Sequence, residues 1–308
     1  MQTGSSNIAG RAIADEYTRP KGKDRSRRGG FGLDRVAVIV VMLYLLIPLG
    51  ATLVFGLGGG GGISTFQRIF SDADFSQTLL TSLELAIGTT LLAIVLVTPT
   101  AYWVQLRLPR ARPLLDFLTL IPFAVPAIVL SVGFLEEFSG TSGPLINTLS
   151  LGLVPFMSNT LNIINTGPLL VCAYVIIALP FVYRPIDNSL RAINTTVLTE
   201  AAYSLGSGWW RAFLTIILPN IWPGVISAAL LVFSTVMGEF TIASLFNIYT
   251  FPIYLNDTGQ NDPYKAALLS FLSFILTLLC VLGIILLVRG RRGGSAQQGS
   301  QVDIAGAR

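Results

Sequence analysis

The chain is 308 residues long with a formal net charge of +4, and it is 52% hydrophobic but only 12% charged, against about a quarter in soluble domains. With a mean hydropathy of +0.69, this composition excludes a soluble globular protein and points to an integral membrane protein. Histidine is absent, which excludes His-based metal sites and His-dependent triads, and Cys172 and Cys280 both lie in apolar runs that imply no disulfide framework.

Residues 1–35 are rich in Gly, Ser, Arg and Lys without an apolar period, so a disordered basic tail, able to touch anionic headgroups, is expected. Six runs free of charge follow: Val36 to Leu57, Leu85 to Leu106, Phe117 to Leu135, Thr166 to Tyr183, Asn220 to Gly238 and Ala266 to Val288. Each approaches the roughly 20 residues that a helix needs to cross the hydrocarbon core. The expected fold is all-α, with six transmembrane helices over residues 36–288 and the first span retained rather than cleaved as a signal. The glycine run from Gly56 to Gly62 lacks the Gly-Lys-Ser/Thr ending of a phosphate-binding loop and reads as a flexible connection. The apolar patch Leu145 to Met157 is short and is interrupted by Gly152 and Pro155, so it reads as an external loop or a shallow re-entrant piece. Residues 289–308 resemble the first tail in composition and are likewise expected to be disordered.

Basic residues orient the spans, because they favour the cytoplasmic side of short loops. With both termini cytoplasmic, eighteen of the twenty Lys and Arg residues lie inside, and only Arg68 and Lys265 lie outside. Letting Leu145 to Met157 span as well would leave twelve inside and eight outside, which disfavours a seventh span. Prolines inside the spans (Pro99, Pro122, Pro126, Pro180 and Pro223) each remove a backbone hydrogen bond and can kink a helix.

Glu84, Glu136, Glu137 and Glu239 lie toward the outer ends of spans, where an acid near hydrocarbon needs a partner or a function. Along the fifth span Gly224, Ser227, Leu231, Ser234, Gly238 and Thr241 form a stripe of mostly small or hydroxylated residues, suited to helix packing or to a solute path. The candidate pathway residues are therefore Glu84, Glu136, Glu137, Ser227, Ser234, Glu239 and Thr241. An ion-coupled secondary transporter would place ionisable groups at the midplane, and none sits there. No nucleophile and base stand at a catalytic spacing, so no catalytic residue and no metal site is expected.

The longest internal loop, residues 184–219, contains EAAYSLGSGWWRAFLTIILP from Glu200 to Pro219. Thr195 or Thr196 can cap a short helix there, and Gly206 can end it in a left-handed turn. Leu198, Ala201, Ala202 and Leu205 fall at helical spacing as one small apolar face, with Glu200 beside it. Trp209, Trp210 and Arg211 suit the headgroup boundary.

At these residues the chain resembles the permease subunits of type I ABC importers. Their signature is matched by Glu200, Ala201, Ala202, Gly206, Ile216, Leu218 and Pro219, all in register, and the likeness extends over the six-span body. The resemblance implies a coupling helix that docks in a cleft of a separate ATPase, with Glu200 facing a basic group. It implies two ATPase subunits that bind ATP and Mg, a second permease that is a paralogue by the habit of the polyamine branch, and an extracytoplasmic solute-binding protein. The setting it implies is a bacterial inner membrane, the lipid bilayer being the partner on every other side, with no cofactor in this chain and no nucleic acid. The segment Met237 to Phe240 looks like the polyamine branch, which carries spermidine and putrescine, and also resembles sulfate and molybdate permeases; ferric iron, thiamine and phosphonate are further alternatives. Eight acids against two bases at the outer side favour a cation.

Overall fold

A computed structural model describes residues 31–59, 62, 64–138 and 167–305. The N-terminal tail through residue 30 and the patch Leu145 to Met157 lie outside the described residues. By contacts the chain forms two units, Met1–Ala51 and Thr52–Arg308. In the first, the described part is the beginning of helix α1 (Phe31–Leu57), so helix starts five residues before the span expected from Val36. Its apolar side chains from Val36 to Ile47 are more than half exposed, the state of a helix whose backbone is satisfied internally and whose surface suits lipid.

The second unit continues with α2 (Ser64–Phe70) and α3 (Ala73–Arg107), a 3₁₀ turn at Pro109–Ala111, α4 (Arg112–Leu118), α5 (Ile121–Ala124) and α6 (Ala127–Phe138). After the undescribed stretch come α7 (Gly167–Ala192), α8 (Thr195–Ser204), α9 (Trp209–Ala212), a π-helical turn at Phe213–Ile217, and α10 (Leu218–Asn220). The chain closes with α11 (Trp222–Met237), α12 (Thr241–Leu245), α13 (Phe251–Asn261) and α14 (Pro263–Ala305). All described secondary structure is helical.

Helices α3, α7 and α11 pack around one core. Ala86, Ala93, Ala101, Ala173, Ala178 and Ala228 are fully or almost fully buried in it, because small side chains let membrane helices approach closely. Helices α7 and α11 approach closely at Gly224, where a Cβ would overlap the Ser189 hydroxyl and the Pro185 carbonyl oxygen.

Four spans are continuous helices: Val36–Leu57, Ala73–Arg107, Gly167–Ala192 and Pro263–Gly283. The third and fifth spans are broken, with a 94° bend between Pro109–Ala124 and Ala127–Glu136 and a 75° bend between Trp209–Asn220 and Trp222–Met237. Counted as one span each, these pairs make six. Proline stands at both breaks: Val125, which precedes Pro126, is extended at φ −90° and ψ 125°, as the proline ring requires of its neighbour. Pro219 and Pro223 flank the second break. Helix continues unbroken through Pro99 and Pro180, so only some of the expected kinks are sharp. The last helix also departs from expectation, since it runs to Ala305 rather than stopping near Val288. No proline interrupts this stretch, and extending an existing helix adds one hydrogen bond per residue ordered.

Candidate functional site

The motif-bearing loop folds as a short helix pinned on one side. Its N-cap is Asn194, held in a left-handed conformation at φ 49° with no side-chain cap, so neither Thr195 nor Thr196 plays the expected capping role. Thr195 instead donates its hydroxyl to the Leu190 carbonyl at 2.5 Å, and Thr199 donates to the Thr195 carbonyl at 2.7 Å. The Thr199 hydroxyl also meets the Tyr102 hydroxyl of α3 at 3.1 Å. A buried threonine or tyrosine needs a partner for its O–H, and here three hydroxyls satisfy one another and the backbone.

Gly206 ends α8 as expected. It lies at φ +79°, its N–H donates to the Tyr203 carbonyl at 2.9 Å, and the Ser207 N–H reaches back to the Ala202 carbonyl at 3.0 Å, the paired bonds of a Schellman cap.

The face of α8 turned inward is Thr195, Thr199 and Ala202, with Leu198 half-buried. This corrects the expected apolar face: Ala202 packs inward, whereas Ala201 is exposed beside Glu200, and Leu205 is 87% exposed. Val197 is 65% exposed one turn before Ala201. Helix α8 therefore presents Val197, Ala201 and Leu205 with Glu200 to the outside, in an orientation fixed from within.

Past Gly208, the Trp209 ring stacks on Phe213, and Phe213 stacks in turn on Tyr102 with centroids 5.3 Å apart. Trp210 is 64% exposed, as a boundary residue should be. Ile216 and Leu218 pack partly buried against the core, and Pro219 is exposed beside the break. The Asn220 side-chain amide donates to the Ile216 carbonyl at 2.8 Å across the disturbed turn. A π-helical turn beside a proline break is the kind of irregularity found at functional sites.

Next to the root of α8 lies an ionic cluster that sequence reading missed. Asp187, on α7 and 5% exposed, accepts from Arg112 Nη2 at 2.5 Å and from Arg191 Nε at 2.8 Å. Arg191 also approaches Asp116 of α4 at 3.8 Å. The signal available was Asp187 four residues before Arg191; its other partner, 75 residues away, was not legible.

At the opposite end, the candidate pathway residues are not gathered into one site. Glu84 lines a cleft of about 690 Å³ with Thr81, Leu92, Cys172, Asn247 and Ile248, and none of the other candidates lines it. The Glu239 carboxylate caps α12, accepting from the backbone N–H of Ile242 at 2.9 Å and of Ala243 at 3.3 Å. Thr241 is the first residue of that helix. Ser227 and Ser234 are exposed on α11, with the Ser227 hydroxyl bonded to the Pro223 carbonyl, whereas Gly224 of the same stripe is buried against α7. Glu136 is exposed near the end of α6, and the side chain of Glu137 lies outside the described residues.

Other acids expected at the outer side also have structural work. Asp72 caps α3 and accepts from Lys265 Nζ at 2.7 Å and from the Tyr254 hydroxyl at 2.8 Å. The Lys265 ammonium chiefly holds the Asp72 carboxyl below the usual carboxylate range, and burial, aided by Asp72, pushes the Tyr254 phenol up. Asp262 caps α14 at the Tyr264 and Lys265 N–H groups, and Asp257 accepts from Tyr249. Among the described residues no three His, Cys, Asp or Glu are grouped to hold a metal ion.

Residues 98–290 match the family of binding-protein-dependent transport system inner membrane components. The chain belongs to this family. The matched region runs from the C-terminal part of α3 into α14 and so contains α8 and both breaks that carry a proline. Over 174 residues it is 36% identical to the molybdenum transport system permease protein ModB of Azotobacter vinelandii, covering 56% of this chain and 72% of that one. It is 34% identical over 185 residues to the spermidine/putrescine transport system permease protein PotB of Escherichia coli K12, covering 59% and 65%. A probable sulfate transport system permease protein of Chlorella vulgaris matches at 33% over 131 residues, which is 42% of this chain and 45% of that one. The fold is that of a crystallised bacterial ABC transporter involved in alginate import, with a TM-score of 0.64 at 16% identity over 92% of this chain and 98% of the other.

Proposed function

We propose that this inner membrane component is the non-catalytic permease subunit of an ATP-driven importer, with α8 as the element that couples it to a separate ATPase pair. The observation that carries the reading is α8 itself: its inner face is bound through Thr195, Thr199 and Ala202, while Val197, Glu200, Ala201 and Leu205 stand exposed. A short helix with an exposed apolar face needs a protein surface to cover it. In this reading both termini are cytoplasmic, ATP and Mg are bound by the ATPases, a paralogous second permease completes the path, and a solute-binding protein delivers the solute from outside. Closing of the ATPase pair would move the coupling helices together and open the spans alternately to either side.

The substrate assigned in this reading is a polyamine-like cation. It is supported by the exposed Glu84 carboxylate in the outer cleft and by the likeness to PotB. The other outer acids contribute less to this reading than their number suggested, because Asp72, Glu239 and Asp262 serve the fold. The test is the whole complex in vesicles with its binding protein, supplied with spermidine, putrescine, molybdate or sulfate. ATP-dependent polyamine uptake is expected, reduced about tenfold in Glu84→Gln at equal complex levels, as for one lost charge-assisted contact. Uptake of an oxyanion would overturn the cation assignment and leave the importer standing; polyamine uptake without ATP or the ATPases would overturn the ATP-driven importer and leave the cation assignment standing.

A further inference from the structure

Helices α3 and α8 enclose a depression of about 290 Å³ lined by Leu106, Arg107, Thr196, Thr199, Glu200 and Tyr203. It carries two opposite charges. Arg107 is the last residue of α3, Glu200 lies midway along α8, and both are exposed. Although they flank one pocket, neither belongs to any ion pair among the described residues, all of which involve other groups. Nor can α8 drift to let them pair without cost, because the Tyr102 and Thr199 hydroxyls meet at the floor and Ala202 is 2% exposed against the body. The pocket thus presents one unpaired charge of each sign on two helices held against each other, which suits a surface that also carries one charge of each sign.

We propose that Arg107 is a second electrostatic anchor of the ATPase-docking surface, receiving an acidic side chain of the ATPase while Glu200 receives a basic one. This rests on the coupling role of α8 and extends the docking surface to a different span. A guanidinium at a membrane boundary also suits a lipid phosphate, but Glu200 in the same pocket would repel an anionic headgroup and attract a protein surface of mixed charge. A guanidinium also matches a carboxylate through two parallel hydrogen bonds, which an ammonium cannot do.

The test measures binding of the purified ATPase to the permease pair in nanodiscs of neutral or of anionic lipid, at low and high salt. Arg107→Glu is expected to weaken binding at least about tenfold in both lipids and to flatten its salt dependence, with Arg107→Lys intermediate and correctly inserted. Arg107→Gln and Glu200→Gln combined are expected to lose less than the two single effects together, since both act on one docked surface. Wild-type binding by Arg107→Glu alongside loss in Glu200→Lys would overturn the second anchor and leave the coupling role of α8 intact. Wild-type binding by both would remove the two together. A loss confined to anionic nanodiscs would assign Arg107 to a lipid headgroup and overturn the proposal.

Discussion

At the scale of single residues, Gly206 and Asp72 carry the sharpest consequences. Gly206 sits at φ +79° with no atom within 4 Å of where a Cβ would point, so a side chain there meets open space and the cost of substitution is purely conformational. Gly206→Val should cost about 1–3 kcal/mol locally and fray the end of α8, whereas Gly206→Asn should be tolerated better. The expected readout is a reconstituted complex that still inserts and hydrolyses ATP but loses uptake per ATP in the valine variant; unchanged uptake would separate the cap from coupling. For Asp72 the sign follows from a depressed folded pKa. The folded state keeps the carboxylate ionised to lower pH than the unfolded chain does, so the stability from the Lys265 pair is present above the ordinary Asp value of about 3.9 and is lost as pH falls through the folded value. Both side chains are about a quarter exposed, which limits the pair to about 1 kcal/mol. Asp72→Asn should therefore lower the thermal midpoint in detergent at pH 7, and its gap to the parent protein should close below about pH 4.

At the scale of elements, the ionic cluster joins α4 to the end of α7, two residues before the linker into α8. Asp187 is buried against two guanidinium groups, so Asp187→Ala leaves Arg112 without its counter-charge and Arg191 with only Asp116, and should cost about 1–3 kcal/mol. Arg191→Ala removes a half-exposed partner and should cost much less. Thermal unfolding of the two purified variants checks the ranking, and equal midpoints would mean that the cluster is solvated rather than structural. The same geometry accounts for what could not be read beforehand. That α8 would be a short helix ending at Gly206 was legible, because a glycine stop is local, although the expected threonine cap does not form. Which face it buries was not, since Thr199 is drawn inward by a tyrosine 97 residues away, and an apolar count along the helix favoured Leu205 instead.

At the scale of the whole molecule, hydropathy and basic residues together make a topological prediction that the fold leaves open to experiment. In a background with Cys172 and Cys280 replaced by serine, a cysteine at Leu205 should react with an impermeant thiol reagent only from the cytoplasmic side, and one at Asp257 only from the outside. Labelling of both positions from the same side would rule out a single span between them. The acids expected at the outer side illustrate how a charge count can mislead. Of the eight acids counted, Asp72, Asp262 and Glu239 hold helix ends or a lysine and Asp257 accepts from Tyr249, whereas Glu84 lines a cleft.

The all-helical membrane character and the short helix ending at Gly206 were determined by the sequence alone, because crossing hydrocarbon, repelling charge from it and turning left-handed at a glycine are each settled within about 20 residues of chain. Only the tertiary structure decided that the third and fifth spans bend by 94° and 75°, that Gly224 meets the Pro185 carbonyl, and that Asp187 gathers Arg112 and Arg191. It also decided that Arg107 and Glu200 flank one pocket unpaired. Proline alone did not predict the bends, since α3 and α7 run straight through theirs; the break depends on whether neighbouring helices can satisfy the freed backbone groups, and those neighbours come from distant parts of the chain.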